Sequence, residues 1–272
     1  MDELLEEIEY EEVAQRLAAA RPWNAPGPDR IPYGFLRMCG APLISLLTTL
    51  FNASLRLGYF PAIHRRGRTV VLPKPNKTPA QRRTAAGYRP ITLLNTTGKL
   101  LESLIAARLG RVAEEIGALP TSQMGNRASR STEGAIAVVL ETIRATWARG
   151  GIVAMLLLDL IGAFDQVHHE ALLHKLITIG YPTNFIKLIR SFLQDRSTQL
   201  VLYRTDMNPT NIGAGVPQGS PLSPILFLHY IIGLYYTTNQ THGILTIGFA
   251  NNTNLLSIAH TPQQARNQLL TA

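Results

Sequence analysis

Apolar positions recur at helical spacing over residues 31–57, 97–119 and 131–149, and helices are also predicted over 169–179 and 183–194. Residues 3–20 read as a further amphipathic helix with an acidic polar face, stopping before the turn-rich run Asn24-Ala25-Pro26-Gly27-Pro28-Asp29. Strand patterns lie between them. Residues 68–72 (RTVVL) form one, broken by Pro73 and Pro75, and 198–203 alternate as another. The apolar run 151–159 (GIVAMLLLD) predicts a strand buried on both faces, with one acid at its end. Residues 76–90 are polar and basic and predict a loop, and 213–224 predict a second loop followed by a helix. Segments 244–250 and 254–259 flank Asn251-Asn252-Thr253, which reads as a hairpin turn. Helices and strands mix without strict alternation, so the expected class is α+β.

With 272 residues and 46% hydrophobic side chains, the chain can bury a sizeable core. Its most apolar segment, 221–236 (PLSPILFLHYIIGLYY), is short for a bilayer, contains two prolines and carries His229, so a buried helix is expected and no membrane association. The acidic N-terminus does not resemble a secretory signal, and the single Cys39 cannot form an internal disulfide; both favour an intracellular location.

Charge sharpens the picture. Seven of the 18 acids fall within the first twelve residues, leaving eleven to face all 26 Lys and Arg. Between Asp29 and Glu102 there is no acid at all, while twelve basic residues occur, among them Arg65, Arg66, Arg68, Lys74, Lys77, Arg82, Arg83, Arg89 and Lys99. Such a run is the electrostatic footprint of a polyphosphate partner, or else a solvated basic face.

Candidate chemistry begins at Asp159, because a carboxylate ending an apolar strand is costly unless it is paired or binds metal. Asp165 follows six residues later, where a helix start would turn it elsewhere. His168, His169 and His174 have no cysteine partner and do not make a zinc site.

Several blocks then resemble, in order, the motifs of reverse transcriptases of non-LTR (LINE-like) retrotransposons. LLLDLIGAFDQVHHEAL resembles the first catalytic motif; NAPGPDRIP, VVLPK, GYRPITLL, SQMGNRASRST and AGVPQGSPLSP resemble segments around it. The resemblance covers roughly residues 20–260. It implies a right-hand polymerase fold with fingers and a partial palm, an antiparallel sheet flanked by helices, and no thumb. It divides the chain into an acidic N-terminal helix (1–20), a basic fingers-type region (21–149) and a partial palm (150–272).

The resemblance also implies roles. Asp159 becomes a metal-ligand aspartate, Phe164 the side chain beneath the incoming sugar, Lys74 and Arg89 triphosphate contacts, and Gln218 and Gly219 the lining of the template-nucleotide pocket. The implied partners are an RNA template, a DNA primer and dNTP. The implied cofactor is Mg²⁺, two ions about 3.5–4 Å apart. One motif departs from the pattern. Where the family carries aromatic-Ala-Asp-Asp, this chain reads Phe249-Ala250-Asn251-Asn252, and no acid follows Asp206. The expectation is therefore a polymerase domain with its reaction lost; the alternative is a non-catalytic RNA- or DNA-binding module.

Overall fold

The computed structural model describes residues 1–75, 78–202 and 205–272; Lys77 of the basic run, Tyr203 of the predicted strand and the Arg82 side chain lie outside that description. In chain order the elements are α1 (Tyr10–Ala19), α2 (Tyr33–Met38), α3 (Gly40–Leu57), β1 (Arg66–Pro73), β2 (Tyr88–Leu94), α4 (Thr96–Glu115), α5 (Thr132–Trp147) and β3 (Ile152–Asp159). They continue with α6 (His169–Ile179), α7 (Thr183–Leu193), β4 (Arg196–Leu202), β5 (Thr205–Asp206), β6 (Thr210–Ile212), α8 (Ser223–Asn239), β7 (Ile244–Phe249), β8 (Asn252–Ala259) and α9 (Pro262–Thr271). The mixture bears out the α+β class. The chain divides into two compact units, one of Met1–Val112 with Phe164–Ser223, the other of Ala113–Ala163 with Pro224–Ala272. Each draws on two stretches of sequence, whereas the segments expected from the motifs are contiguous.

The first unit is built on a five-stranded sheet in the order β2-β1-β4-β5, with β6 also paired to β4. β1 runs antiparallel to β2, from Gly67 opposite Leu94 to Pro73 opposite Tyr88, and parallel to β4. Residues 88–90, expected as loop, already belong to β2. Pro90 hid the strand, yet it is tolerated because β2 is an edge. Helix α7 turns Phe185, Leu188, Ile189, Phe192 and Leu193 inward, and Phe192 meets Phe60 edge-to-face at 5.2 Å.

The acidic N-terminus is not one helix over 3–20. It makes a 3₁₀ turn at Asp2–Leu4, and α1 starts only at Tyr10, where the Glu12 carboxylate accepts the Glu9 N–H. The reason lies in α4. The buried Arg108 guanidinium takes the backbone carbonyls of Glu3, Glu6 and Glu7 together with the Glu12 carboxylate, which a continuous helix would not present. Leu4 and Ile8 are buried in the same segment.

The second unit has a three-stranded antiparallel sheet, β3-β8-β7. Ala135 of α5 packs with Ile247 and Leu256 in its core. The apolar run of β3 is not buried on both faces as expected. β3 is an edge strand, and Met155, Leu156 and Leu157 are 43%, 39% and 67% exposed. Hydrophobicity alone could not distinguish a central strand from an edge.

Candidate functional site

In the second unit, β7 and β8 are joined by Ala250-Asn251, with Ala250 in the left-handed region at φ +56°. The turn therefore lies one or two residues earlier than the sequence pattern placed it, and Asn252 already begins β8. Pairing sets Asp159, the last residue of β3, directly opposite Asn252. The Asn251 amide Nδ2 donates to Asp159 Oδ1 at 3.0 Å, and Leu160 N donates to the Asn251 carbonyl. Asp159 and Asn252 are exposed, so what they present is open to solvent.

The turn is held from behind. Gln123 is buried; its side-chain amide donates to Tyr235 Oη at 2.9 Å and to the Ala250 carbonyl at 3.2 Å. Main-chain bonds from Met124 to Gly248 and from Gly248 to Ser122 fix this segment along β7. A Cβ on Gly248 would stand 1.6 Å from the Tyr235 hydroxyl, so only glycine lets that ring lie under the strand. The block SQMGNRASRST thus braces the turn, a role its sequence did not suggest.

These residues do not fit a magnesium pair. Mg²⁺ is held by hard, preferably anionic oxygens. Here Asp159 is the one carboxylate of the trio, and an amide N–H directs positive charge at it. Among the described residues no group of three or more His, Cys, Asp or Glu could hold a metal ion.

In the first unit, Lys74 and Arg89 share one end of the β1–β2 pair: Leu72 lies opposite Arg89, and Lys74 N donates to the Gly87 carbonyl at 2.8 Å. Further along β2, Thr92 N donates to the Gln218 carbonyl at 2.7 Å. That anchors Gln218 three residues from Arg89, about 10 Å at strand rise. Gly219 has φ +130°, and a Cβ there would stand 2.4 Å from the Thr92 carbonyl oxygen, so backbone meets backbone at this turn.

Phe164 is half-buried; its carbonyl accepts Val216 N at 2.8 Å, tying the chain at Phe164 to the AGVPQG segment. Asp165 was expected to turn away from Asp159 at a helix start; the helix begins only at His169, and Asp165 accepts the Gln218 side-chain amide on both carboxylate oxygens, each at 3.2 Å. Asp165 and Gln218 also line a cavity of about 250 Å³ together with Thr69, Thr92, Arg196 and Gly215.

Beneath the turn, Ser220 Oγ donates to the fully buried Glu102 and accepts Leu222 N and Ser223 N. Burial pushes the Glu102 carboxyl up to about 7, although Arg196 and Ser220 pull the other way. The same burial lowers Arg196 to about 10. Glu102 was readable in one respect, as a lone acid among Leu100, Leu101, Leu104 and Ile105; its partner was not.

Residues 72–269 match the family profile described as "Reverse transcriptase (RNA-dependent DNA polymerase)". The chain belongs to the reverse transcriptase family. Relatives include the probable RNA-directed DNA polymerase from transposon X-element of Drosophila melanogaster, 34% identical over 85% of this chain and 25% of the relative. The RNA-directed DNA polymerase from mobile element jockey of Drosophila funebris is 32% identical over 81% and 24%. The chain spans about a quarter of the length of these curated relatives. The non-LTR retrotransposon resemblance read from the motifs is borne out by them. Among solved structures, apo telomerase from Candida tropicalis, truncated from its C-terminal domain, aligns with TM-score 0.51 at 13% identity over 76% of this chain and 46% of that one. That likeness supports a polymerase fold for this reverse transcriptase chain. No described helix is long and apolar enough to cross a membrane.

Proposed function

We propose that this chain is the fingers-and-palm part of a non-LTR retrotransposon reverse transcriptase, retaining residues for nucleotide and template handling but having lost the reaction. The family reaction adds a template-directed dNTP to a primer 3′-OH with two Mg²⁺. One observation carries the reading: Asn251 donates its amide to Asp159, and Asn252 is Asp159's partner across the strands. Two positions that would hold carboxylates offer neutral amides, and the electrostatic stabilisation on which phosphoryl transfer rests goes with them.

Lys74 and Arg89 would meet the triphosphate, Arg89 by a bidentate fork; Gln218 and Gly219 would line the template-nucleotide pocket, with Phe164 beneath the sugar. RNA template, DNA primer and dNTP are the partners on this reading. The acid-free run from 30 to 101 favours a second use of the same surface, binding RNA or DNA without extending it.

The test is primer extension on an RNA template with Mg²⁺ or Mn²⁺, run with this chain and with the Asn251→Asp, Asn252→Asp double variant, alongside calorimetric titration of Mg²⁺. The chain as it stands should extend nothing and bind Mg²⁺ far more weakly than the double variant. Sustained dNTP incorporation by the unaltered chain, or equal Mg²⁺ affinity in both, would overturn the proposal.

A further inference from the structure

The first unit also carries a cationic groove that shares no residue with the nucleotide-handling set. Its volume is about 690 Å³, and Tyr59, Arg65, Arg66, Lys187, Arg190 and Asp195 line it. The size suits a ligand rather than a packing defect. Four cations face one carboxylate. Arg190 is paired with Glu170 at 2.7 Å, and Arg65 reaches Asp195 at 3.5 Å. Arg66 and Lys187 are exposed, with no ion pair among the described residues. After both nearby acids are counted, about two positive charges remain uncompensated.

The groove is also built rather than incidental. The Arg65 side chain is only 8% exposed; its Nε donates to the Phe60 carbonyl at 3.0 Å, and its guanidinium stacks 5.1 Å from the centre of the Tyr59 ring. Gly58, at φ +60°, lets the chain pass so close to α7 that a Cβ would stand 2.8 Å from Lys187 Cβ. Asp195 holds a left-handed backbone at φ +49°, a strain that persists only where the surroundings impose it.

We propose that this groove binds the phosphodiester backbone of single-stranded nucleic acid, with Arg66 and Lys187 on the phosphates and the half-exposed Tyr59 ring beside a base. An acidic peptide would also answer the charge, but the exposed aromatic beside the guanidinium favours a stacked base. Arg66 opens β1 and Lys74 follows its far end, about 26 Å away at strand rise. The site therefore stands apart from Lys74 and Arg89; it rests on the nucleic-acid-binding reading of the basic run and not on the polymerase reading.

The test uses the full chain and fluorescence anisotropy with a labelled single strand of about 12 nucleotides, as RNA and as DNA, across a salt series. The Arg66→Gln, Lys187→Gln double variant should bind at least tenfold more weakly, with the salt slope reduced by about 1.4, two single-strand phosphate contacts. The Lys74→Gln, Arg89→Gln variant should leave part of that affinity in place. RNA carrying 4-thiouridine, photocrosslinked to the unaltered chain, should mark the peptide containing Tyr59. Unchanged affinity and slope in the groove variant, crosslinks confined to other peptides, or a polyglutamate peptide that displaces the RNA at equal charge concentration would each overturn the proposal.

Discussion

Gln218 and Asn251 are both amides donating to an aspartate, and the consequences are opposite. In the first unit, Asp165 accepts the Gln218 amide and steadies a side chain whose backbone is already pinned to Thr92 and whose neighbour Ser220 is pinned to Glu102. In the second, Asp159 accepts the Asn251 amide, and the bond occupies the one carboxylate a metal would need. The same polar pair lines a pocket in one place and takes up an exposed carboxylate in the other. What differs is what the carboxylate is for. Stability can be kept by any satisfied hydrogen bond, whereas coordination of Mg²⁺ requires anionic oxygens.

The sharpest way to break this comparison is to remove the support beneath Gln218. Glu102→Leu removes the carboxylate whose charge offsets the burial of Arg196 and leaves Ser220 without its acceptor, and should cost roughly 3–5 kcal/mol in denaturant unfolding. A loss below about 1 kcal/mol would mean the turn stands without Glu102. The pH dependence adds a signature. The folded-state carboxyl is raised above its ordinary value, so its stabilising contribution is full below about 4.5 and fades as pH climbs towards about 7. Glu102→Gln should therefore gain on the natural chain across that window. His64 and His229 act with the other sign. Burial lowers both to about 4, so the stability they lend by staying neutral is present above about 6.5 and is lost as pH falls through 4. Their separate replacement by Gln should flatten the acid limb.

Gly219→Ala comes next. It meets both a backbone oxygen and an unfavourable φ, and roughly 2–4 kcal/mol of destabilisation is expected, with the Asp165–Gln218 bond disturbed. Unchanged stability would show that the turn can move away from β2. A smaller and metal-dependent effect should follow Asn251→Asp with Asn252→Asp. Like charges facing each other across strands cost up to about 1 kcal/mol per pair, so the melting temperature should drop in EDTA and recover in millimolar Mg²⁺. The natural chain should show no such recovery.

The sequence was most legible where chemistry and local pattern coincide. The Asp159 strand and helices α3 to α5 could be read from spacing and residue type, and Gly219 from the motif it shares with the family. Three things could not. Asp165 looked like the start of a helix, because nothing local says that residues 53 positions apart, Asp165 and Gln218, will meet. The early residues looked helical because the carbonyls that Arg108 claims from α4 are a tertiary demand on the backbone. β2 was hidden by Pro90, whose missing donor matters only if the strand has a neighbour on both sides. In each case the missing information was a long-range partner.

β3 poses the same problem in its simplest form, and it carries the smallest expected effect. Its apolar run reads as a strand enclosed on both faces, yet it pairs only with β8, and Leu157 is 67% exposed. If the strand were enclosed, Leu157→Lys would bury an unpaired ammonium and cost several kcal/mol. As an edge residue facing water it should change stability by less than about 0.5 kcal/mol. A lysine on an exposed edge also discourages pairing with other chains, so the variant should be at least as soluble as the natural protein. A large loss in urea unfolding would mean that something covers β3 in solution. The contrast between the two units would then have to be redrawn, because Asp159 sits at the end of this strand and would no longer be open to solvent.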